Sequence, residues 1–376
     1  VDTGYVVHTV KGDYQLAADY ADLSLASLAK QNQDRFSSSY NPDIIDTENY
    51  GLENCDMIEN DFTGAYQSTA PLLEAQEYIF TNKNSIESIF ELQYSSGEQE
   101  NSAVNHLYGY STGSHLEVSQ DALGVCYGGW GNAKYDSRMW VGAQNLVTTS
   151  SSSSSTALSG YYCVKWQRPN IFWTGQQTSR EIKNVEISSN KWRNWIIYRM
   201  TDVMLMKAEA LACIGGAANN TLAKNIVNAI HRRSFCNYNE SKPVSPDLTS
   251  GSTNGNATNN SDIVVMVLNE RQIELLGEGK RWFDLVRYAE RNSDSASEAA
   301  DEREATEEKH VGNGQKGMIK MVDTFLRNAY SNYYTTLKNR FKNRYGLYSP
   351  IYYMDVKASD GKLHQNPVWN KSKYDQ

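Results

Sequence analysis

Nineteen residues, Asn269–Arg287, constrain the fold of this chain more than any other stretch. They read NERQIELLGEGKRWFDLVR and hold four acids, four bases and two glycines. Val264, Val267, Leu268, Ile273, Leu275 and Leu276 place an apolar helical face ahead of Gly277-Glu278-Gly279, and Trp282, Phe283, Leu285 and Val286 resume the pattern after it. The spacing predicts a helix, a turn that glycine permits and a second helix. Glu270 and Glu274 fall on one helical face, as do Asp284 and Arg287. Charges held beside a core need partners, because an unpaired buried charge is costly. The stretch therefore predicts an ion-pair network in which Arg271, Arg281 and Arg287 serve Glu274, Glu278 and Asp284 and lock two helices across the turn. Trp282 is expected in the core, where its removal would cost about 3–5 kcal/mol.

The chain as a whole is globular in composition, with 40% apolar and 21% charged residues over 376 positions. A net charge of −8 argues against nucleic acid as a partner. No apolar run reaches the length of a membrane span. The five cysteines are scattered, with neither zinc nor redox spacing, and read as buried thiols. His8, His106, His115, His231, His310 and His364 lie apart without metal-binding spacing, and no phosphate loop, dinucleotide fingerprint or nucleophile elbow is present. No cofactor or metal is expected.

Four segments emerge. Residues 1–95 read as helical scaffold with a strand at the end. Within them, Asp13 caps a helix over Asp13–Lys30 whose stripe is Leu16, Tyr20, Leu23 and Leu28. A weaker helix covers Tyr66–Asn82, and Ile89–Tyr94 is strand-like. Residues 96–189 lose periodicity, hold many glycines and a run of serines at Ser150–Ser155, and read as an irregular lobe with a mobile loop. Residues 190–290 carry helices at Ile196–Cys213 and Leu222–Arg233, separated by Gly215-Gly216, and then the nineteen-residue stretch. Residues 291–376 hold a charged surface stretch, a helix near Met318–Asn339 and an extended close. The fold class expected is mostly α, a tetratricopeptide-like helical scaffold with a loop-rich lobe.

Twelve positions of the opening stretch match, at fixed spacing, the signature of the SusD/RagB family of outer-membrane nutrient-binding lipoproteins, which this chain resembles: Glu270, Arg271, Glu274, Leu275, Gly277, Glu278, Gly279, Arg281, Trp282, Asp284, Leu285 and Arg287. Ser85–Tyr94 (SIESIFELQY), Tyr198–Leu211 (YRMTDVMLMKAEAL) with Asn225–Arg233, and SPIYYMDV with HQNPVW at the close are similar to further family segments, in the family's order. The resemblance implies non-catalytic binding of glycans at the cell surface, an outer-membrane lipid anchor and a SusC-like TonB-dependent transporter as partner. It also implies an N-terminal helical part and an acylated cysteine that this chain, with Cys55 as its first cysteine, is expected to lack.

Candidate ligand contacts come from the lobe. A chain with 25 Tyr and 8 Trp offers many flat apolar faces with hydrogen-bonding edges, which suit sugar rings. Tyr127, Trp130, Trp140, Trp166 and Trp173 form the expected platform, with Trp130 foremost because Gly128, Gly129 and Gly131 let its ring stand on a loop. Trp192 and Trp195, beside Lys191 and Arg193, read as packing just ahead of a buried helix. Two other functions stay open: a peptide or other nutrient as ligand, and glycoside hydrolysis by Glu274 and Glu278. The ion-network reading of those two acids is preferred to the catalytic one.

Overall fold

The computed structural model describes residues 13–36, 79–80, 83–95, 97, 99–108, 117–119, 138, 147–149, 155–157, 161–163, 165–166, 168–174, 181–188, 193–234, 263–291, 313–342 and 344–366. The chain divides into two compact units, one of residues 12–279 and one of residues 280–376 with 1–11. The division follows Gly279 and so falls inside the 190–290 segment.

In the first unit, helix α1 spans Tyr14–Phe36. Asp13 caps it as expected: its Oδ1 accepts from the backbone N–H of Leu16 at 2.9 Å. The inward face meets expectation only in part. Leu28 is buried as expected, with Ala18, Ala21, Ala29 and Asn32, whereas Leu16, Tyr20 and Leu23 of the expected stripe are 48%, 60% and 65% exposed. Ala18, Ala21 and Ala29 on the inward side permit close approach to the neighbouring helix, with Leu28 buried among them.

Further along lie strand β1 (Ser88–Leu92), helix α2 (Ser102–Tyr108), and the short strands β2 (Glu117–Val118), β3 (Val147–Thr149), β4 (Ser155–Ala157) and β5 (Tyr161–Tyr162). Strands β6 (Arg168–Thr174), β7 (Glu181–Ser188) and β8 (Trp195–Arg199) follow. Among the described residues they form four antiparallel pairs: β1 with β8, β2 with β5, β3 with β4, and β6 with β7. The stretch read as irregular thus carries α2 and three strand pairs. The β6–β7 ribbon is the longest, from Arg168 opposite Ser188 to Thr174 opposite Glu181. The serine run lies outside the described residues apart from Ser155, the first residue of β4.

The β1–β8 ribbon carries an inverted polarity. Ser88 and Glu91 are buried, while Phe90 and its cross-strand partner Tyr198 are 53% and 46% exposed. Register shifts on either side of Phe90 break simple alternation. Ile196–Arg199, expected as the start of a helix, is strand instead, because Ile196 and Ile197 suit a pleated surface with β1 as partner.

Helices α3 (Met200–Ile214), α4 (Ala217–Ser234) and α5 (Ile263–Glu274) complete this unit. The backbone carbonyl of Glu87 accepts from Met200 N at 2.8 Å, satisfying one orphan donor at the start of α3. Gly215 and Gly216, at φ +78° and +85°, turn the chain into α4. Met204, Leu205, Ala208, Val227, Ile230 and Val267 pack between these helices with at most 1% exposure. Each aliphatic side chain so buried contributes roughly 1.5–3 kcal/mol. The mostly α, tetratricopeptide-like expectation holds: α1 lies on α3, α3 on α4, and α5 on both.

The second unit contains α6 (Arg281–Arg291), α7 (Asn313–Ala329), a 3-10 turn at Ser331–Tyr333, α8 (Tyr334–Lys342) and α9 (Tyr353–Ala358). Its core is small: Leu285, Ala289, Met318 and Leu347 are buried, with Phe341 and Val322 against them. The single helix expected near Met318–Asn339 is two, broken at Tyr330, whose φ of −133° is not helical. The close is partly helical at α9 and is tied by Gln365. Its side-chain amide accepts from Ile351 N at 2.9 Å and donates to Ile351 O at 2.8 Å.

Candidate functional site

Glu270, Glu274 and Glu278 follow one another at intervals of four, so one side of α5 and its following turn presents three carboxylates. None of these side chains is more than 4% exposed. Their partners come from far along the chain. Arg138 meets Glu270, and Glu274 at 3.2 Å. Arg199, at the end of β8, meets Glu274 and Glu278, each at 2.8 Å. Arg233, at the end of α4, meets Glu274 at 2.6 Å and Glu87 at 2.6 Å. Lys165 donates to Glu278 at 2.9 Å and to the backbone carbonyl of Glu274 at 2.6 Å.

Glu87, Glu270, Glu274 and Glu278 thus meet Arg138, Lys165, Arg199 and Arg233 within this buried cluster, and His231 lies 3.6 Å from Glu270. Burial by itself would push the Glu274 carboxyl up. The guanidiniums of Arg233, Arg199 and Arg138 and the Lys165 ammonium overcome it and hold that carboxyl well below the usual range. Glu278 is lowered in the same way, against burial, by Arg199 and Lys165, and Glu270 by Arg138 and His231.

The ion network is therefore real, but its wiring corrects the sequence expectation. Arg271 donates to Asp202 of α3 at 2.9 Å, a partner outside the nineteen-residue stretch. Asp284 and Arg287 do pair, at 2.6 Å within α6. A carboxylate on the inward side of α5 cannot reach a cation that the same helix turns elsewhere, so tertiary neighbours supply the charge. Arg138, Lys165, Arg199 and Arg233 were not foreseen as partners. Lys165, between Cys163-Val164 and Trp166, and Arg199, between Tyr198 and Met200, are single cations inside apolar runs, and that placement is the signal that marks them.

The turn below the cluster needs both glycines. Gly277 and Gly279 have φ of +81° and +74°. A Cβ on Gly277 would also stand 2.5 Å from the Sγ of Cys163. The Tyr108 hydroxyl donates to the Gly277 carbonyl. Burial, then Cys163 and Glu278, push the Tyr108 phenol well up.

Beside the turn is an aromatic box. Trp166 stacks on Trp195 with ring centres 4.5 Å apart and planes within 6°. Phe80 meets Trp166 edge-on at 4.7 Å, and Tyr108 lies near both tryptophans. Trp166 is fully buried, which corrects its expected place in a ligand platform: a ring enclosed by Trp195, Phe80 and Tyr108 offers a ligand no face. Trp195 and the buried Arg193 are packing residues, as expected. Tyr127, Trp130 and Trp140 lie outside the described residues. Trp173 falls in β6 opposite Ile182. Trp282 is 38% exposed and lies 5.6 Å from Phe341, so the core role expected of it is corrected to a partly exposed contact.

Among the described residues, no group of three or more His, Cys, Asp or Glu is arranged to hold a metal, and no helix is long and apolar enough to cross a membrane.

A sequence model of the SusD family matches residues 29–369. A SusD-like protein of Formosa agariphila is 36% identical over 94 residues, which are 25% of this chain and 17% of that protein. A SusD superfamily protein of Bacteroides fragilis is similar over 96% of this chain and 65% of its own, at 15% identity and a TM-score of 0.44. Surface glycan-binding protein A of Bacteroides uniformis is similar over 93% of this chain and 60% of its own, at 16% identity and a TM-score of 0.44. The chain thus spans less than two thirds of each of these relatives.

Proposed function

The chain belongs to the SusD family, and from that premise we propose that it binds glycans at the cell surface without catalysis and delivers them to a SusC-like TonB-dependent transporter. The match over residues 29–369 is the observation that carries this reading. In it, residues 96–189 form the ligand lobe. Tyr127, Trp130, Trp140 and Trp173 supply stacking faces, and polar loop groups bond the sugar hydroxyls. The helical scaffold meets the transporter, and a lipid anchor holds the protein on the outer membrane.

The signature acids support binding over hydrolysis. A glycosidase acid needs a raised pKa and access to the scissile bond. Glu274 and Glu278 are buried, ion-paired and lowered. Their arrangement suits a structural cluster that keeps both carboxylates ionised.

Calorimetric titration against a panel of plant, mucin and microbial polysaccharides, with supernatants assayed for released sugars, tests the reading. Saturable heat without release is expected. Flat titrations across the panel would overturn glycan binding and point to a peptide or other nutrient. Sugar release that survives stringent purification would overturn the non-catalytic assignment.

A further inference from the structure

Strands β6 and β7 form a ribbon whose two feet are held in one buried neck. The outgoing foot is Lys165-Trp166, two residues before β6 begins at Arg168. The returning foot is Arg193–Trp195, where the chain enters β8. Trp166 and Trp195 stack at 4.5 Å and close the neck. Lys165 is fully buried, fastened to the Glu274 carbonyl at 2.6 Å and to Glu278 at 2.9 Å. On the returning side, Arg193 donates to Phe80 O at 3.2 Å, and Asn194 donates to the Glu91 carboxylate at 2.8 Å while accepting from Tyr94 N at 3.1 Å. Phe80 packs against Trp166, so both feet share one neighbour.

A two-stranded ribbon is at best marginally stable alone, so its direction is set where it joins a packed body. Side chains locked by packing and charge at that junction fix the direction before ligand arrives, which lowers the ordering cost of binding.

We propose that Lys165, with the Trp166–Trp195 stack, is a positioning residue that sets the direction of the β6–β7 ribbon for glycan binding. This rests on the glycan-binding reading above. It gives the signature carboxylate Glu278 a second role, as the socket for a ligand-bearing ribbon. The cluster around it then has two functions that can be separated: Arg233 joins α4 to the hub, and Lys165 joins the ribbon to it.

The full chain carrying Lys165→Met tests this. Methionine keeps the apolar stem and removes the ammonium, and Glu278 retains Arg199 at 2.8 Å. Arg233→Met is the comparison, since it removes a cation of the same cluster from the scaffold side. Hydrogen exchange is followed in ligand-free protein, and affinity is measured for whichever panel glycan the wild type binds. In Lys165→Met, peptides covering residues 168–188 should exchange at least about tenfold faster and affinity should fall about tenfold, while α3 and α4 peptides speed up by a clearly smaller factor. In Arg233→Met, the unfolding midpoint should fall while ribbon exchange and affinity stay at wild-type values. Unchanged ribbon exchange in Lys165→Met, or equal ribbon loosening and affinity loss in both variants, would overturn the proposal. If Lys165→Met does not fold, Trp195→Phe, which thins the stack, is read on the same criteria. Should the wild type bind no glycan in the panel, the functional reading fails, and the exchange comparison still decides the neck.

Discussion

Glu274 in the first unit and Asp323 in the second are each met by several positively charged side chains, in opposite surroundings. Glu274 has no exposed side-chain surface and faces Arg138, Arg199 and Arg233, which α5 does not supply. Asp323 keeps 25% of its side chain exposed, and its partners are close in sequence: Arg327 at 2.6 Å, Lys338 at 3.7 Å and the Tyr334 hydroxyl. Arg327 and Lys338 also lie over the Tyr334 ring, at 4.7 and 5.4 Å. Water screens the second arrangement and can replace any lost partner. The first has no such reserve, so each member is held by what the others would suffer without it.

Removing the buried carboxylate should give the largest effect. Glu274→Gln leaves three guanidiniums without their common partner and should cost about 3–5 kcal/mol in denaturant unfolding at neutral pH. A loss below about 1 kcal/mol would place the two carboxylates in one class and break the contrast.

Acid should separate them next. The Glu270, Glu274 and Glu278 carboxyls are lowered in the folded state. Their stabilisation is therefore fully present above the ordinary carboxylate pKa, about 4.3, and is lost as pH falls below it toward their folded values. The unfolding midpoint should hold from neutrality to about that pH and then drop. In Glu274→Gln the drop should be shallower, and equal slopes in the two proteins would remove Glu274 from the acid limit.

The backbone beneath the cluster sharpens the comparison. Gly277→Ala meets both a positive φ and the Cys163 thiol, and should cost about 2–4 kcal/mol. Gly279→Ala meets the φ alone, with nothing within 4 Å of the added carbon, and should cost about 1–2 kcal/mol. Matching losses would mean that Cys163 moves aside freely. The smallest effect belongs to Asp323→Asn, which should leave the thermal midpoint where it was at physiological salt.

Legibility in the sequence divides along the same line. The local pair Asp284–Arg287, the Asp13 cap, the glycine turn and the end of α3 at Gly215 follow from spacing and were readable. The inward side of α1 was readable only in part. Leu28 is buried as its stripe implies, yet Leu16, Tyr20 and Leu23 of that stripe face outward while Ala18, Ala21 and Ala29 lie inward, where closeness of approach matters more than side-chain size. Nor could spacing show which cations reach Glu274, since Arg138 and Arg233 arrive only through tertiary folding. The aromatic character of Trp166 by itself suggests a ligand contact. That character serves equally well to seal a core, and only the surrounding rings decide between the two. The β6–β7 ribbon is hard to read from sequence because glycines and serines around it mask its own β-branched positions, Ile171, Ile182, Val185 and Ile187.

The crowding of Cys163 against Gly277 also equips the protein with its own probe. The thiol is buried, and burial pushes it up, with Lys165 pulling the other way. A thiol in that state reacts with alkylating reagents only when the turn lifts away from it. Its labelling rate in native buffer therefore counts openings of the turn without an introduced fluorophore or spin label. Cys213, half-buried near the end of α3, supplies a faster internal reference in the same experiment.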